Sequence, residues 1–288
     1  MQSTLGNCNS FANSTELCYI YTRMITVGYI LAILVGVTLG LVGSGGSILT
    51  VPILVYIMGV DPVLATAYSL FIVGTTSLVG GVQSALLGKV DLRTAAIFGL
   101  PSIVAVYLTR LYILPVIPET LLRFGYFELT KPVLLMALFA VVMVASSLSM
   151  IRPAKTASNE QSGTVRYNYP MIFLEGSLVG MLTGLVGAGG GFLIVPALVL
   201  FSRMSMKLAV GTSLVIIAAK SLIGFTGDLR SGEPIDWNLL LIFTALSVVG
   251  IFLGILLAKR IPGERLKKLF GWFVLIMGIY ILVKEFFF

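Results

Sequence analysis

The chain has 288 residues, of which 58% are hydrophobic and 11% charged, with a mean hydropathy of +1.05 and a formal charge of +7. A soluble domain carries about a quarter charged residues, so this composition excludes an ordinary soluble protein and points to a multi-pass protein of the cell membrane. The 19 Lys and Arg sit almost entirely in connectors between apolar runs, which is a topology signal and not a nucleic-acid-binding face, and the absence of any His excludes His metal sites and His-containing triads. No metal and no cofactor is expected.

Residues 1–23 form a polar amino-terminal tail with neither the basic start nor the early apolar core of a signal peptide. Cys8 and Cys18 both lie in it, either closing a small disulfide loop in an oxidising compartment or remaining free thiols. The triplet Asn13, Ser14, Thr15 has the glycosylation pattern, which is common by chance. A first membrane repeat, 24–150, contains apolar segments at 24–42, 48–60, 65–87, 94–109 and 132–150. A polar linker, 151–169, precedes a second repeat, 170–288, with segments at 170–186, 192–202, 208–226, 237–258 and 267–284. Segments 48–60 and 192–202 supply only about 16 to 20 Å of helix, too little to cross, and read as half-helices.

Each half-helix follows a glycine-rich break, "GLVGSGGSILTVP" at 40–52 and "GLVGAGGGFLIVP" at 184–196. A shift of 144 residues superposes these stretches and also sets "LATAYSL" at 64–70 on "LAVGTSL" at 208–214, so the chain is an internal duplication. The expected fold is an all-α polytopic membrane protein of two homologous inverted repeats. Each has about four spanning helices plus a glycine-interrupted half-helix, eight to ten membrane segments in all. The inversion follows from charge. Counting each half-helix as one transit puts Lys89, Arg93, Arg152, Lys155, Arg166, Arg203, Lys207, Lys259, Arg260, Arg265, Lys267 and Lys268 on the cytoplasmic side against six basic residues outside. Counting eight crossings leaves the charges nearly even.

Irregular backbone survives within lipid only where protein or a water-filled cavity satisfies it. The helix after each break starts with free N–H groups and about half a positive charge, which suits an anion. The breaks Gly43, Ser44, Gly45, Gly46, Ser47 and Gly187, Ala188, Gly189, Gly190, Gly191 are therefore candidate substrate-binding backbone, with helix starts expected at Ile48 and Phe192. Neither fits the P-loop or dinucleotide glycine pattern. Scattered glycines such as Gly28, Gly36 and Gly254 read as helix packing, and Pro52 and Pro196 as kinks.

One helical face of 208–226 carries Ser213, Lys220, Gly224 and Gly227, and the equivalent face of the first half carries Ser69, Thr76, Gly80 and Gln83. Tyr68 and Thr212, aligned with each other, are further hydroxyl candidates. Single Ser and Thr in membrane helices mostly bond their own backbone, but a lysine there costs about 2.5 to 3.5 kcal/mol and faces a cavity or a partner. Lys220 either contacts substrate, snorkels, or pairs with Glu175, which is itself a candidate proton carrier. Asp61, Asp228 and Asp236 fall in connectors or at helix ends, where capping or solvation is the default.

Together, the duplicated "GLVG(S/A)GG…VP" units, the following "A(T/V)(A/G)(Y/T)SL" elements, the central linker and the length resemble the TauE/SafE sulfite exporter family, also called the TSUP anion permeases. The resemblance spans everything after the tail. It implies a secondary transporter, an exporter, of a small anion such as sulfite or sulfoacetate, with no catalytic residues and with the lipid bilayer as surroundings. A membrane-embedded enzyme would need a catalytic group in the bundle, and a scaffold without substrate would leave the paired breaks unexplained; oligomeric state is open. If the linker is cytoplasmic, a cysteine introduced at Ser158 will resist an impermeant thiol reagent added outside intact cells, relative to the parent protein. Ready labelling would reverse the orientation.

Overall fold

The computed structural model describes residues 14–43, 45–118, 120–124, 127–151, 169–186, 190–200, 204–229, 235–258 and 263–287. Among them the chain runs α1 (Ser14–Val42), α2 (Gly45–Pro52), α3 (Pro62–Leu86), α4 (Leu92–Leu108, extended by Leu114–Val116), α5 (Lys131–Ile151), α6 (Tyr169–Val186), α7 (Gly191–Leu200), α8 (Met206–Leu229), α9 (Trp237–Ala258) and α10 (Gly263–Phe287). Among the described residues six helical stretches are long and apolar enough to cross a bilayer: Met24–Val42, Pro62–Leu86, Leu92–Val116, Lys131–Leu148, Leu208–Leu229 and Trp237–Ala258. Gly46–Ile57, Phe173–Val186 and Gly271–Lys284 are shorter apolar helices. Ile30, Leu256 and Ile276 are more than half exposed, as apolar side chains facing lipid would be.

The helix starts carry their own signals. Asp61, followed by Pro62, accepts from Val63 N at 2.8 Å and Leu64 N at 3.4 Å; Asp91 and Asp236 cap α4 and α9 in the same way. Proline ends the first short helix: Pro52 has no N–H to donate, and Ile53–Ile57 continue as a π turn.

Several boundaries differ from the sequence reading. α1 begins at Ser14, inside the expected polar tail, because the amphiphilic stretch 14–23 extends the first apolar run as helix. α2 begins at Gly45, not Ile48, since glycine is tolerated in a first turn whose N–H groups have no helical partners anyway. α7 begins at Gly191, one residue before Phe192. α4 continues past residue 109 through a π turn, Thr109–Ile113. The connector between α4 and α5 is not wholly irregular: Thr120–Phe124 and Phe127–Thr130 pair as an antiparallel hairpin, a departure from an all-α chain outside the helical bundle.

Glycine determines how the helices meet. α1 packs along α9, where a Cβ at Gly36 would strike the Ser247 carbonyl and one at Gly254 the Val37 carbonyl. α4 packs along α6, where a Cβ at Gly180 would strike the Ser102 carbonyl and one at Gly184 would lie 2.9 Å from Thr109 Cβ. Gly36 and Gly40 are the residues that the 144-residue shift aligns with Gly180 and Gly184, so the same close backbone approach occurs twice. Exchanging the halves turns the α1/α9 pair into α6/α4, while α3/α8, α5/α10 and α2/α7 each map onto themselves.

α3 and α8 run antiparallel. Gly74 faces Leu222, Gly81 faces Val215, and Gly211 faces Ser84 and the Lys89 carbonyl. Aligned hydroxyls on these two helices do equivalent work: Tyr68 Oη accepts from Asp236 N at 2.6 Å and Thr212 Oγ1 from Asp91 N at 3.0 Å, tying α3 to the start of α9 and α8 to the start of α4, each to the helix that follows the other. Gly254→Val introduces a methyl pair against a backbone carbonyl that cannot move aside, so we expect a loss of about 1 to 3 kcal/mol or more, seen as a lowered thermal midpoint in detergent. A midpoint equal to that of Leu253→Val, which changes an exposed apolar residue, would refute the close approach.

Candidate functional site

At the first break α1 ends at Val42 and Gly43 turns the chain with φ +72°, its N–H bonding the Leu39 carbonyl at 2.7 Å. Ser213 of α8 donates to the Gly43 carbonyl at 3.3 Å and to the Val210 carbonyl at 2.8 Å, and a Cβ at Gly43 would be 3.0 Å from Val210 Cα. The start of α8 therefore lies against the first break. Ser44 lies outside the described residues, while Gly45, Gly46 and Ser47 form the first turn of α2, with Gly46 pressed on the Val35 carbonyl of α1.

At the second break Gly187, Ala188 and Gly189 lie outside the described residues. Gly190 has φ +63°, and its carbonyl accepts from Leu193 N and Ile194 N at 3.1 Å, so it starts α7 directly before Gly191. A Cβ at Gly190 would lie 2.7 Å from Lys220 Nζ and 2.7 Å from Thr183 Cβ; only glycine lets the lysine reach this turn. Lys220 is 1% exposed and donates to Thr183 Oγ1 at 3.1 Å, and Thr183 in turn donates to the Gly180 carbonyl.

Ser213 and Lys220 are two turns apart on one face of α8, about 10 Å, so that single helix touches one break with a hydroxyl and the other with an ammonium. The short helices α2 and α7 also touch each other. The antiparallel register of α3 on α8 puts Thr76, the residue aligned with Lys220, opposite it at the middle of the crossing. Thr76 Oγ1 bonds the Ile72 carbonyl at 2.6 Å. Ser69 Oγ is buried with no partner among the described residues, as are Ser77 Oγ, Ser221 Oγ and Gln83 Oε1.

The sequence-derived candidates thus divide. Gly43, Gly190, Gly191, Ser213 and Lys220 lie along one side of α8, with Thr76 across from Lys220. Tyr68 and Thr212 each accept from a backbone N–H at a helix start. Glu175 sits near the start of α6, half-buried, eight residues or about 12 Å of helix before Thr183; the one ion pair among the described residues is Arg110–Asp228, so Glu175 does not neutralise Lys220. Cys8 lies outside the described residues and Cys18 falls within α1. Asp61 and Asp236 cap helices, whereas Asp228 is drawn into the bundle by Arg110. Thr183, Arg110 and the role of Asp228 were not foreseen. Thr183 offered no sequence signal beyond a hydroxyl one turn before the break, and Arg110 stands immediately beyond an apolar run, where a basic residue reads as a connector.

Comparison with known proteins decides the family, since the one described as Sulfite exporter TauE/SafE matches residues 29–281. The chain belongs to the TauE/SafE family. A "Probable membrane transporter protein" of Xylella fastidiosa (strain 9a5c) is 32% identical over 256 residues, covering 88% of this chain and 92% of that protein. The "Probable membrane transporter protein YunE" of Bacillus subtilis (strain 168) is 25% identical over 284 residues, covering 90% of this chain and 97% of its own. No solved structure matches. This TauE/SafE chain is a multi-pass membrane transporter.

Proposed function

We propose that the chain is a secondary transporter that exports a small oxyanion of the sulfite or organosulfonate class, bound between two inverted halves. The observation that carries the proposal is the buried ammonium of Lys220 at the Gly190 turn, with one hydroxyl, Thr183 Oγ1, as its acceptor among the described residues. A buried ammonium has three donors and a charge to satisfy, and among the described residues no carboxylate pairs with it. A small anion at the α7 start would meet that charge together with backbone N–H groups. Gly190, Gly191, Lys220, Thr183 and Thr76 form the proposed centre, and Gly43 and Ser213 its other wall.

Inversion is supported by α3 and α8. Aligned helices that cross antiparallel are exchanged by a twofold axis perpendicular to them, which in a bilayer lies in the membrane plane. The alignment and the crossing register coincide at Thr76 and Lys220, so the cation stands close to that axis. A charge on the axis keeps its place when the halves exchange conformations, and one such charge serves a single anion from either side. This accounts for a lysine in one copy facing a threonine in the other.

The test is ligand-dependent thermal stabilisation of the purified protein with sulfite, sulfate, thiosulfate, sulfoacetate, taurine and simple carboxylates. Saturating a site at 100 times its dissociation constant contributes about 2.7 kcal/mol, a clear rise in midpoint. Lys220→Met should fold and lose about 1.5 to 3 kcal/mol of anion binding, tenfold or more in affinity, while Lys220→Arg keeps part of it. If no anion stabilises the wild type, or the Met variant binds as tightly as the wild type, the proposal fails.

A further inference from the structure

A second buried cation lies at the C-terminal end of α8, beyond Lys220. α4 is regular to Leu108 and then makes one π turn, Thr109–Ile113, which carries Arg110 into the bundle, where it is 2% exposed. Nη1 makes all its described bonds, at 3.1 Å to Thr66 Oγ1 and to both carboxylate oxygens of Asp228. Nε and Nη2 are buried with no partner among the described residues. These two donors lie side by side on one edge of the planar guanidinium and form a complete fork. An arginine kept only to neutralise Asp228 would offer that fork to the carboxylate; here the carboxylate takes one of the three guanidinium nitrogens of Arg110 and leaves the fork open.

We propose that Arg110 is a second anion-binding station of the transport path, taking a small oxyanion on its Nε–Nη2 edge while Nη1 stays with Asp228 and Thr66. The inference rests on the anion-transport reading and extends it. π turns inside helices recur at functional sites, and unmet donors on a charged group in a dry interior are costly, so the fork calls for a guest. Asp228 keeps 11% of its side chain exposed, which leaves this end of the bundle approachable. The pair is not part of the duplicated scaffold, because the 144-residue shift sets Ser84 against Asp228 and Gly254 against Arg110.

Asp228 is eight residues beyond Lys220 on α8, so the stations are about 12 Å apart. With Asp228 in place the Arg110 station is neutral before the anion arrives, and it holds the anion less tightly than Lys220 does. A weaker station beside a stronger one is what passage requires, since binding must favour entry and still permit release.

The experiment is calorimetric titration of the purified full-length protein with sulfite and, separately, with sulfoacetate. Arg110→Lys keeps a cation for Asp228 but removes the fork, and the double variant Arg110→Gln with Asp228→Asn removes both charges so that neither is left unpaired. Expected are two binding events in the wild type, with the weaker one lost or weakened at least tenfold in both Arg110 proteins. In Lys220→Met the weaker event should persist. If both Arg110 proteins bind like the wild type, or the wild type shows one event that disappears with Lys220 alone, Arg110 is a structural partner of Asp228 and only this inference falls. If the wild type binds neither anion, the transport reading falls with it.

Discussion

A bilayer offers no water to an exposed peptide group or to a charge, and this constraint organises the whole molecule. The chain twice interrupts an apolar run with glycine, and each interruption is met by groups from elsewhere. The carbonyl of Gly43 receives the Ser213 hydroxyl, and Gly190 lies against Lys220 and Thr183. Both sets of groups come from α8 or its immediate neighbours. The long helices supply the depth at which such breaks can be held, and the breaks give that depth a polar interior.

Close helix approach makes the arrangement rigid. In lipid there is little hydrophobic drive between helices, so contact depends on how near the backbones can come. Gly36 and Gly254 hold α1 on α9, and Gly180 and Gly184 hold α6 on α4. These pairs stand on the flanks of the α3/α8 crossing and are related by exchange of the halves. Lys220 is then placed by three independent features: the glycine turn it abuts, the Thr183 hydroxyl it bonds, and the antiparallel helix opposite it.

Much of this was legible in the sequence because duplication leaves identity at a fixed shift. The "GLVG" units mark both breaks, and their alignment pairs Thr76 with Lys220. The first half-helix starts three residues before Ile48 and the second one residue before Phe192, because a first turn tolerates glycine. The Arg110–Asp228 pair was not legible: its partners are 118 residues apart, and both stand at the ends of apolar runs, where hydropathy places connectors. Tyr68 and Thr212 are candidate ligands by their alignment, yet that same equivalence expresses a shared structural task, each accepting from the N-cap N–H of the spanning helix that follows the other, 168 and 121 residues away in sequence. Symmetry in sequence thus marked common scaffold at one pair of positions, and its breaking at Lys220 marked the candidate site.

The most direct test is to locate the anion. Selenite has the charge and shape of sulfite, and its selenium can be placed by anomalous scattering in a crystal of the protein. The account predicts selenium between α3 and α8 at the Gly190 turn, with a selenite oxygen about 2.8 Å from Lys220 Nζ. Selenium found only elsewhere, with Nζ still bonded to Thr183 alone, would contradict it.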